Sequence, residues 1–347
     1  MISGKKEIFN PDIMADWLSQ FLPINDKNIV SKVGFDDCNT IRFGNKTITF
    51  TTDFLNDNPI CIDLGFGSYF DLGRLTVAAS ISDLCGSGST PKYVLVGAKM
   101  KRGLKTKSFK EFMKGAKYQC DMFNVFIIGG DTKIGKENSF YSVGIGINEC
   151  EGNFFKYSAS PGEIIWISGE IGSISSAIVF LTEANVGNDL MEWAKKILVD
   201  PKLPVEKSKF VSENKFGRAG MDVSDGLGVS LHELCKYSSV GCEVNLDKIP
   251  VSEKTKFLVN NFEFSLEDLI FSVGGEFQFI VTTKNNDIVS AKMREAGFFE
   301  IGTITKNNIK YLIAGEEKKV LPNFGHSDTK YDSIIDEVLN QTKRKND

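Results

Sequence analysis

Twice along this chain, short β-branched or aromatic runs alternate with segments whose apolar residues recur at helical spacing. That alternation restricts the fold to an α/β or α+β class. In the first series Thr47–Thr52 reads as a strand, Phe70–Leu84 as a helix and Lys92–Ala98 as a strand. Ser108–Met122 then reads as a helix, Asn124–Ile128 as a strand ending at Gly129-Gly130, and Tyr141–Ile147 as a strand. From Glu151 to Gly162 the texture turns polar and rich in Gly and Pro, and we place a domain boundary there. The second series is strand Ile164–Ser168, helices Ser173–Glu183 and Asp189–Leu198, a helix after Pro204, helix Leu227–Lys236 and strand Gly241–Val244. Helix Leu266–Phe271, strand Phe277–Thr283, helix Ile288–Ala296 and strand Ile301–Thr305 complete it. The 347 residues are about two domains' worth, read here as 1–150 and 151–330, with 331–347 a solvated polar tail.

The strand ends carry a repeated chemistry. Gly34-Phe35-Asp36-Asp37, Thr51-Thr52-Asp53, Ser82-Asp83, Gly129-Gly130-Asp131-Thr132 and Asp222-Val223-Ser224-Asp225-Gly226 each set carboxylates beside Gly, Ser or Thr after an apolar run. Gly274-Gly275-Glu276 is a sixth relative of this design. A strand end delivers a carboxylate to a crevice, and glycine lets backbone N–H groups approach an anion. Any one of these sites alone reads more simply as a turn, a strand end or, at Ser82-Asp83, the last turn of a helix. Together they describe hard oxygen ligands that would repel one another without a bound cation, which points to Mg²⁺. Carboxylates, Mg²⁺ and glycine-rich backbone are the parts of a phosphoryl-transfer site.

Composition removes other chemistries. With 41 basic and 45 acidic residues the net charge is −4, which disfavours a general nucleic-acid binder. No stretch reaches the ~18 uninterrupted apolar residues of a membrane span. The N-terminal MISGKKEIFNPDIMADW lacks an apolar signal core, which predicts a cytoplasmic protein. Seven scattered cysteines without a CxxC (Cys38, Cys61, Cys85, Cys120, Cys150, Cys235, Cys242) predict neither a disulfide framework nor a structural zinc site. Two histidines, His232 and His326, exclude a histidine-cluster mechanism, and His232 reads as a structural residue on its helix.

Two motifs are decoys. Gly130–Lys136 matches GxxxxGK, but Glu137 stands where a phosphate loop needs Ser or Thr, and a strand follows where a helix is required. Gly86-Ser87-Gly88 begins a GxGxxG that Pro91 ends. The basic run Lys101–Lys107 reads as an exposed loop.

From Gly34 to Thr305 these motifs, in this order, resemble the family of thiamine-monophosphate kinase, AIR synthase, selenophosphate synthetase and the hydrogenase-maturation ATP enzyme. The most specific match is Asp222-Val223-Ser224-Asp225-Gly226-Leu227, which resembles the DxSDGL signature of the kinases. Asp37 falls in the family's GDDA, Thr51-Thr52-Asp53 in its STD, Ser82-Asp83 in its NLSD, Gly129–Thr132 in its GGDT and Pro161-Gly162-Glu163 in its PGD turn. The resemblance implies two α/β domains, with N-terminal domains pairing into a β-barrel in a homodimer.

It implies transfer of the γ-phosphoryl of ATP to thiamine monophosphate by direct Mg²⁺-assisted in-line attack. It implies metal ligation by Asp37, Thr51, Thr52, Asp53, Asp83, Asp131, Asp222 and Asp225, with Asp83, Asp222 and Asp225 central to catalysis. ATP contacts are implied at Gly130, Asp131, Lys156 and Ser224, and acceptor contacts at Glu276 and Gln278. Lys156 replaces a common arginine, Gln278 a second acidic residue, and Ile60 an expected His or Asp. An ATP-dependent relative with another small substrate, or a nucleotide binder without turnover, stand as alternatives.

Overall fold

The computed structural model describes residues 26–32, 34–55, 59–149, 151–182, 186–271 and 273–323. The expected polar tail, His326 and Cys150 lie outside them. The first half is built from β1 (Asn39–Phe43), β2 (Lys46–Phe54), the single turn α1 (Ile60–Asp63), α2 (Tyr69–Gly86), β3 (Pro91–Lys101), α3 (Thr106–Met122), β4 (Phe126–Gly135) and β5 (Ser139–Asn148). Its five strands are ordered β1-β2-β5-β3-β4, and only β3 and β4 pair in parallel.

The second half contains β6 (Ile164–Ile167), α4 (Ser173–Thr182), α5 (Asn188–Val199), α6 (Val205–Glu213), β7 (Gly217–Asp222), α7 (Leu227–Ser238) and β8 (Gly241–Asn245). There follow α8 (Glu253–Asn261), α9 (Leu266–Phe271), β9 (Phe279–Thr283), α10 (Asp287–Glu295), β10 (Phe299–Thr305), β11 (Lys310–Ala314) and β12 (Glu317–Val320). This sheet has seven strands, ordered β12-β11-β8-β10-β6-β9-β7.

The helix α2 organises the molecule. Ser68 and Asp71 close a capping box at its start, satisfying backbone donors that a helix leaves free. Beyond that turn it is buried nearly all round, because it packs against both halves. One apolar core therefore joins Val77, Ile81, Phe112 and Phe140 to Phe154, Trp166, Phe279 and Val281 across the boundary. An Arg74–Asp200 ion pair, with Gln119 on the same guanidinium, adds a polar tie between the halves.

Along β2, Thr47, Thr49 and Thr51 are buried while Phe50, Thr52 and Phe54 are exposed, the period of two expected of a strand with one covered face.

Several elements differ from the sequence expectation. The strand expected to stop at Gly129 continues to Gly135, because β3 supplies a parallel ladder through both glycines. That continuous strand also removes the helix a phosphate loop would open. Strand β9 begins at Phe279, and Phe277 instead takes left-handed backbone (φ 51°). The fold runs past Thr305 into the β11–β12 hairpin. β7 (GRAGMD) has little strand propensity of its own and is held by β9.

Candidate active site

Close approach of α2 to β7 builds the site. A Cβ at Gly86 would lie 2.4 Å from the Asp222 backbone nitrogen, so only glycine permits this contact. One helical turn earlier, the Ser82 hydroxyl donates to Asp222 Oδ2 at 2.7 Å. Thr51, on the covered face of β2, donates to Asp83 Oδ2 at 2.5 Å and to the Asp37 carbonyl at 3.3 Å. Asp53 follows on the same face, and Ser224 Oγ reaches Asp222 Oδ1 at 3.4 Å. Carboxylates from both halves thus line one cleft.

Burial and mutual repulsion make that cleft electrostatically costly when empty. Burial first, then Asp222, Asp53 and Asp37, push the Asp83 carboxyl well above the usual range. Asp222 is pushed up to about 8 by burial and Asp37, and Asp53 to about 6 by the same two causes. Asp225, at the cleft rim, is raised to about 7 by the surrounding walls and then by Glu233. Asp36 also reaches about 7 through burial and Asp37.

The donor set fits Mg²⁺. Every ligand is a hard oxygen, and hydroxyls occupy only one oxygen each of Asp83 and, at short range, Asp222. Among the described residues, no three carboxylate, histidine or cysteine side chains close around a single point. Mg²⁺ keeps one or two carboxylates and completes its octahedron with phosphate oxygens and water, so such an open arrangement suits it.

Lys156 lies inside this cleft, 4% exposed. Its ammonium donates to Asp37 Oδ1 at 2.7 Å and Glu233 Oε2 at 3.1 Å.

Other expected residues sit elsewhere. Asp53, Ser142, Val96 and Gly130 are successive partners across the sheet, so three strand spacings, about 14 Å, separate Asp53 from Gly130. Asp131 is exposed and paired with Lys133 at 3.2 Å, and Thr52 points away from Asp83.

Glu276 and Gln278 are engaged by the protein itself. Glu276 Oε1 accepts the Ile174 N–H at 3.1 Å, capping α4, and burial raises its carboxyl to about 7 despite the N–H groups of Ile174, Gly172 and Ser173. Gln278 Oε1 accepts from Ser168 Oγ at 2.8 Å, and its Nε2 donates to the Lys202 carbonyl at 3.1 Å. The Gln278 carbonyl accepts the Val223 N–H at 2.7 Å, and Gly275 N–H donates to the Ser224 carbonyl at 2.7 Å. A Cβ at Gly274 would lie 2.0 Å from that carbonyl. The segment is therefore a shelf under the loop that presents Asp222, Ser224 and Asp225.

His232 bonds the Leu321 carbonyl at 3.1 Å, a structural partner as its sequence position suggests. The sequence singled out neither Glu233 nor Ser82 as a partner to these groups. Ser82 stands beside Asp83 in a recognised motif, whereas Glu233 gives no local signal.

Residues 35–147 match the N-terminal domain of the AIR synthase related proteins, and residues 160–314 match their C-terminal domain. The chain belongs to the AIR synthase related family. Within that family it is 26% identical to the thiamine-monophosphate kinase of Archaeoglobus fulgidus, over 76% of this chain and 82% of the relative. It is 26% identical to the thiamine-monophosphate kinase of Buchnera aphidicola subsp. Acyrthosiphon pisum, over 87% of this chain and 94% of the relative. A solved structure described as AaThiL complexed with AMPPCP and TMP superposes with a TM-score of 0.75 at 20% identity, covering 93% of this chain and all (100%) of the other. The hydrogenase maturation protein HypE of E. coli shares the fold with a TM-score of 0.63 at 20% identity, over 79% of this chain and 86% of its own.

Proposed function

We propose that this protein transfers the γ-phosphoryl group of ATP to thiamine monophosphate, giving thiamine diphosphate and ADP. The carrying observation is the Ser82–Asp222 contact, which joins the carboxylates of both halves into one hydroxyl-braced cleft. The named activity of the curated relatives supports the choice of acceptor.

Asp37, Thr51, Asp53, Asp83, Asp222 and Asp225 would hold Mg²⁺ on the cleft side. Bound Mg²⁺ would neutralise the triphosphate and the charge that develops during in-line transfer. Thr51 and Ser82 fix the orientation of Asp83 and Asp222 before any ligand arrives. Ser224 and Lys156 face the same cleft and are assigned to the nucleotide. The acceptor is a phosphate already ionised near neutral pH, so no side chain need remove a proton, which suits a chain with two histidines. Glu276 and Gln278 are assigned to supporting the catalytic loop, with any acceptor contact made through that shelf.

We assign residues 1–150 to nucleotide, metal and dimer contacts and 151–330 to the second AIR-synthase-like domain. The uncovered face of the first sheet exposes Phe50, Phe54 and Tyr93, and beside them on edge strand β4 stand Phe126 and Ile128. An apolar face of this kind suits a homodimer joined through these sheets into a barrel. Such pairing gives Gly130, Asp131 and Thr52 a role that their distance or direction from Asp83 denies them within one chain. Asp131 of the partner subunit would complete the nucleotide site. Among the described residues, six free buried cysteines suit a reducing cytoplasm, and no helix is long and apolar enough to cross a membrane.

The test is product analysis after incubating the purified protein with Mg-ATP and thiamine monophosphate. Thiamine diphosphate and ADP in equal amounts are expected. ADP without thiamine diphosphate rejects the acceptor, and bound nucleotide without turnover rejects the kinase reading.

A further inference from the structure

Lys156 is the one cation among the described residues that points into the carboxylate cleft, and it is held there unusually firmly at its backbone. Its N–H donates to Asp36 Oδ2 at 3.0 Å, and its carbonyl accepts from Ser238 Oγ at 2.9 Å. Only the side chain is left free to move. Its ammonium bridges two carboxylates that come from different elements, Asp37 in the bend before β1 and Glu233 on α7. The Tyr237 ring lies 5.3 Å from the same nitrogen, adding a face that favours a cation.

Asp37 is one of the groups assigned to Mg²⁺, and a divalent ion bound there would stand within a few ångströms of the Lys156 ammonium, where two cations repel. Glu233 has no such second claim. It already accepts from the ammonium at 3.1 Å and can keep it when Asp37 is lost, with a small rotation of a flexible four-carbon stem.

We propose that Lys156 is a tethered cation occupying Asp37 until a divalent metal displaces it, and that Glu233 is the positioning residue that retains the displaced ammonium. This rests on the reading above that the cleft binds a divalent metal. In the empty cleft the ammonium neutralises part of the carboxylate cluster and keeps the halves together. When metal takes Asp37, the ammonium turns on Glu233 and is presented to the cleft, where an anionic phosphate can meet it. Metal loading and phosphate binding are thereby coupled through one side chain, and the coupling acts equally in both directions.

The test is a Mn²⁺ titration of the nucleotide-free full chain, read by the electron paramagnetic resonance of free Mn²⁺. Lys156→Met is expected to tighten Mn²⁺ binding several-fold. With Lys156 present, Glu233→Gln is expected to weaken Mn²⁺ binding about tenfold, because the displaced ammonium is left buried and unpaired. In the Lys156→Met background the same Glu233→Gln change is expected to weaken it only about two-fold, the effect of losing a nearby charge. Equal effects of Glu233→Gln in both backgrounds overturn the exchange, as does unchanged or weaker Mn²⁺ binding in Lys156→Met.

Should Lys156→Met fail to fold, Lys156→Arg carries the test. Its forked guanidinium grips Asp37 more firmly, so Mn²⁺ binding weakens if the exchange is real and is unchanged if it is not. A wild-type chain that binds no Mn²⁺ overturns both the metal reading and the exchange. Mn²⁺ binding with an additive cycle overturns the exchange alone, since product formation is not read.

Discussion

Two acidic regions of this protein share a sequence style and differ in what their side chains have left to give. In the cleft between the halves, Asp37, Asp53, Asp83 and Asp222 crowd one another, and protein donors meet only some of their oxygens. At Gly274–Gln278, the Glu276 carboxylate is taken up by backbone N–H groups at the start of α4, and the Gln278 amide by Ser168 and Lys202. The first region is an incomplete set of charges that calls for a cation from outside. The second is complete in itself and serves as scaffolding. A carboxylate beside glycine is therefore informative only once its hydrogen-bond partners are counted.

The largest effect should come from the incomplete side. Asp222→Asn keeps the shape and the Ser82 contact but removes one charge from the cluster. Turnover of Mg-ATP and thiamine monophosphate is expected to fall by about 10²–10³ or more, in the range seen when a preorganised electrostatic group is lost. Wild-type turnover with unchanged Mg²⁺ dependence would remove Asp222 from the site and erase the contrast.

A middle-sized effect concerns pH. The native carboxyls of Asp53, Asp36 and Asp222 titrate near about 6, 7 and 8, above the usual value near 3.8. Between pH 4 and 8 the native state thus holds protons that the unfolded chain has released. Stability of the metal-free protein must then fall as pH rises through that window. Mg²⁺ bound in the cleft would replace those protons, so the rise in Tm that it produces should grow from pH 5 to pH 8. Thermal melts of wild type and Asp222→Asn, with and without Mg²⁺, check this. The slope with pH should be shallower in the variant, and identical slopes would show that the cluster is not crowded in solution.

The smallest effect tests the complete side. Glu276→Gln keeps one acceptor oxygen for the α4 N–H groups but turns the other into an amide donor that faces them. About 1 kcal/mol of stability should be lost, with the KM for thiamine monophosphate within about two-fold of wild type. A large rise in that KM with no change in Tm would turn the scaffold back into an acceptor site.

Much of this was legible in the sequence because it depends on local rules. Strand and helix alternation located most elements, and the motifs at Asp37, Thr51–Asp53, Asp83 and Asp222–Asp225 meet in one cleft while that at Gly129–Thr132 does not. What escaped depends on partners far away in the chain. β7 is a strand because β9 pairs with it, and Phe277 left its expected strand where the shelf bends under the Ser224 loop. The period of two in β2 could have shown that Thr51 and Thr52 face opposite ways, but only the fold tells which face is covered.

By itself, then, the sequence determined the α/β character, the two-part division and the hard-oxygen character of the acidic motifs, because periodicity and residue type are written locally. Only the tertiary structure decided which carboxylates meet. Gly86 must touch Asp222 across 135 intervening positions for Ser82 and Asp83 to reach it. The tertiary structure alone put a lysine between Asp37 and Glu233, because a buried ammonium is stable only where the fold supplies opposite charge.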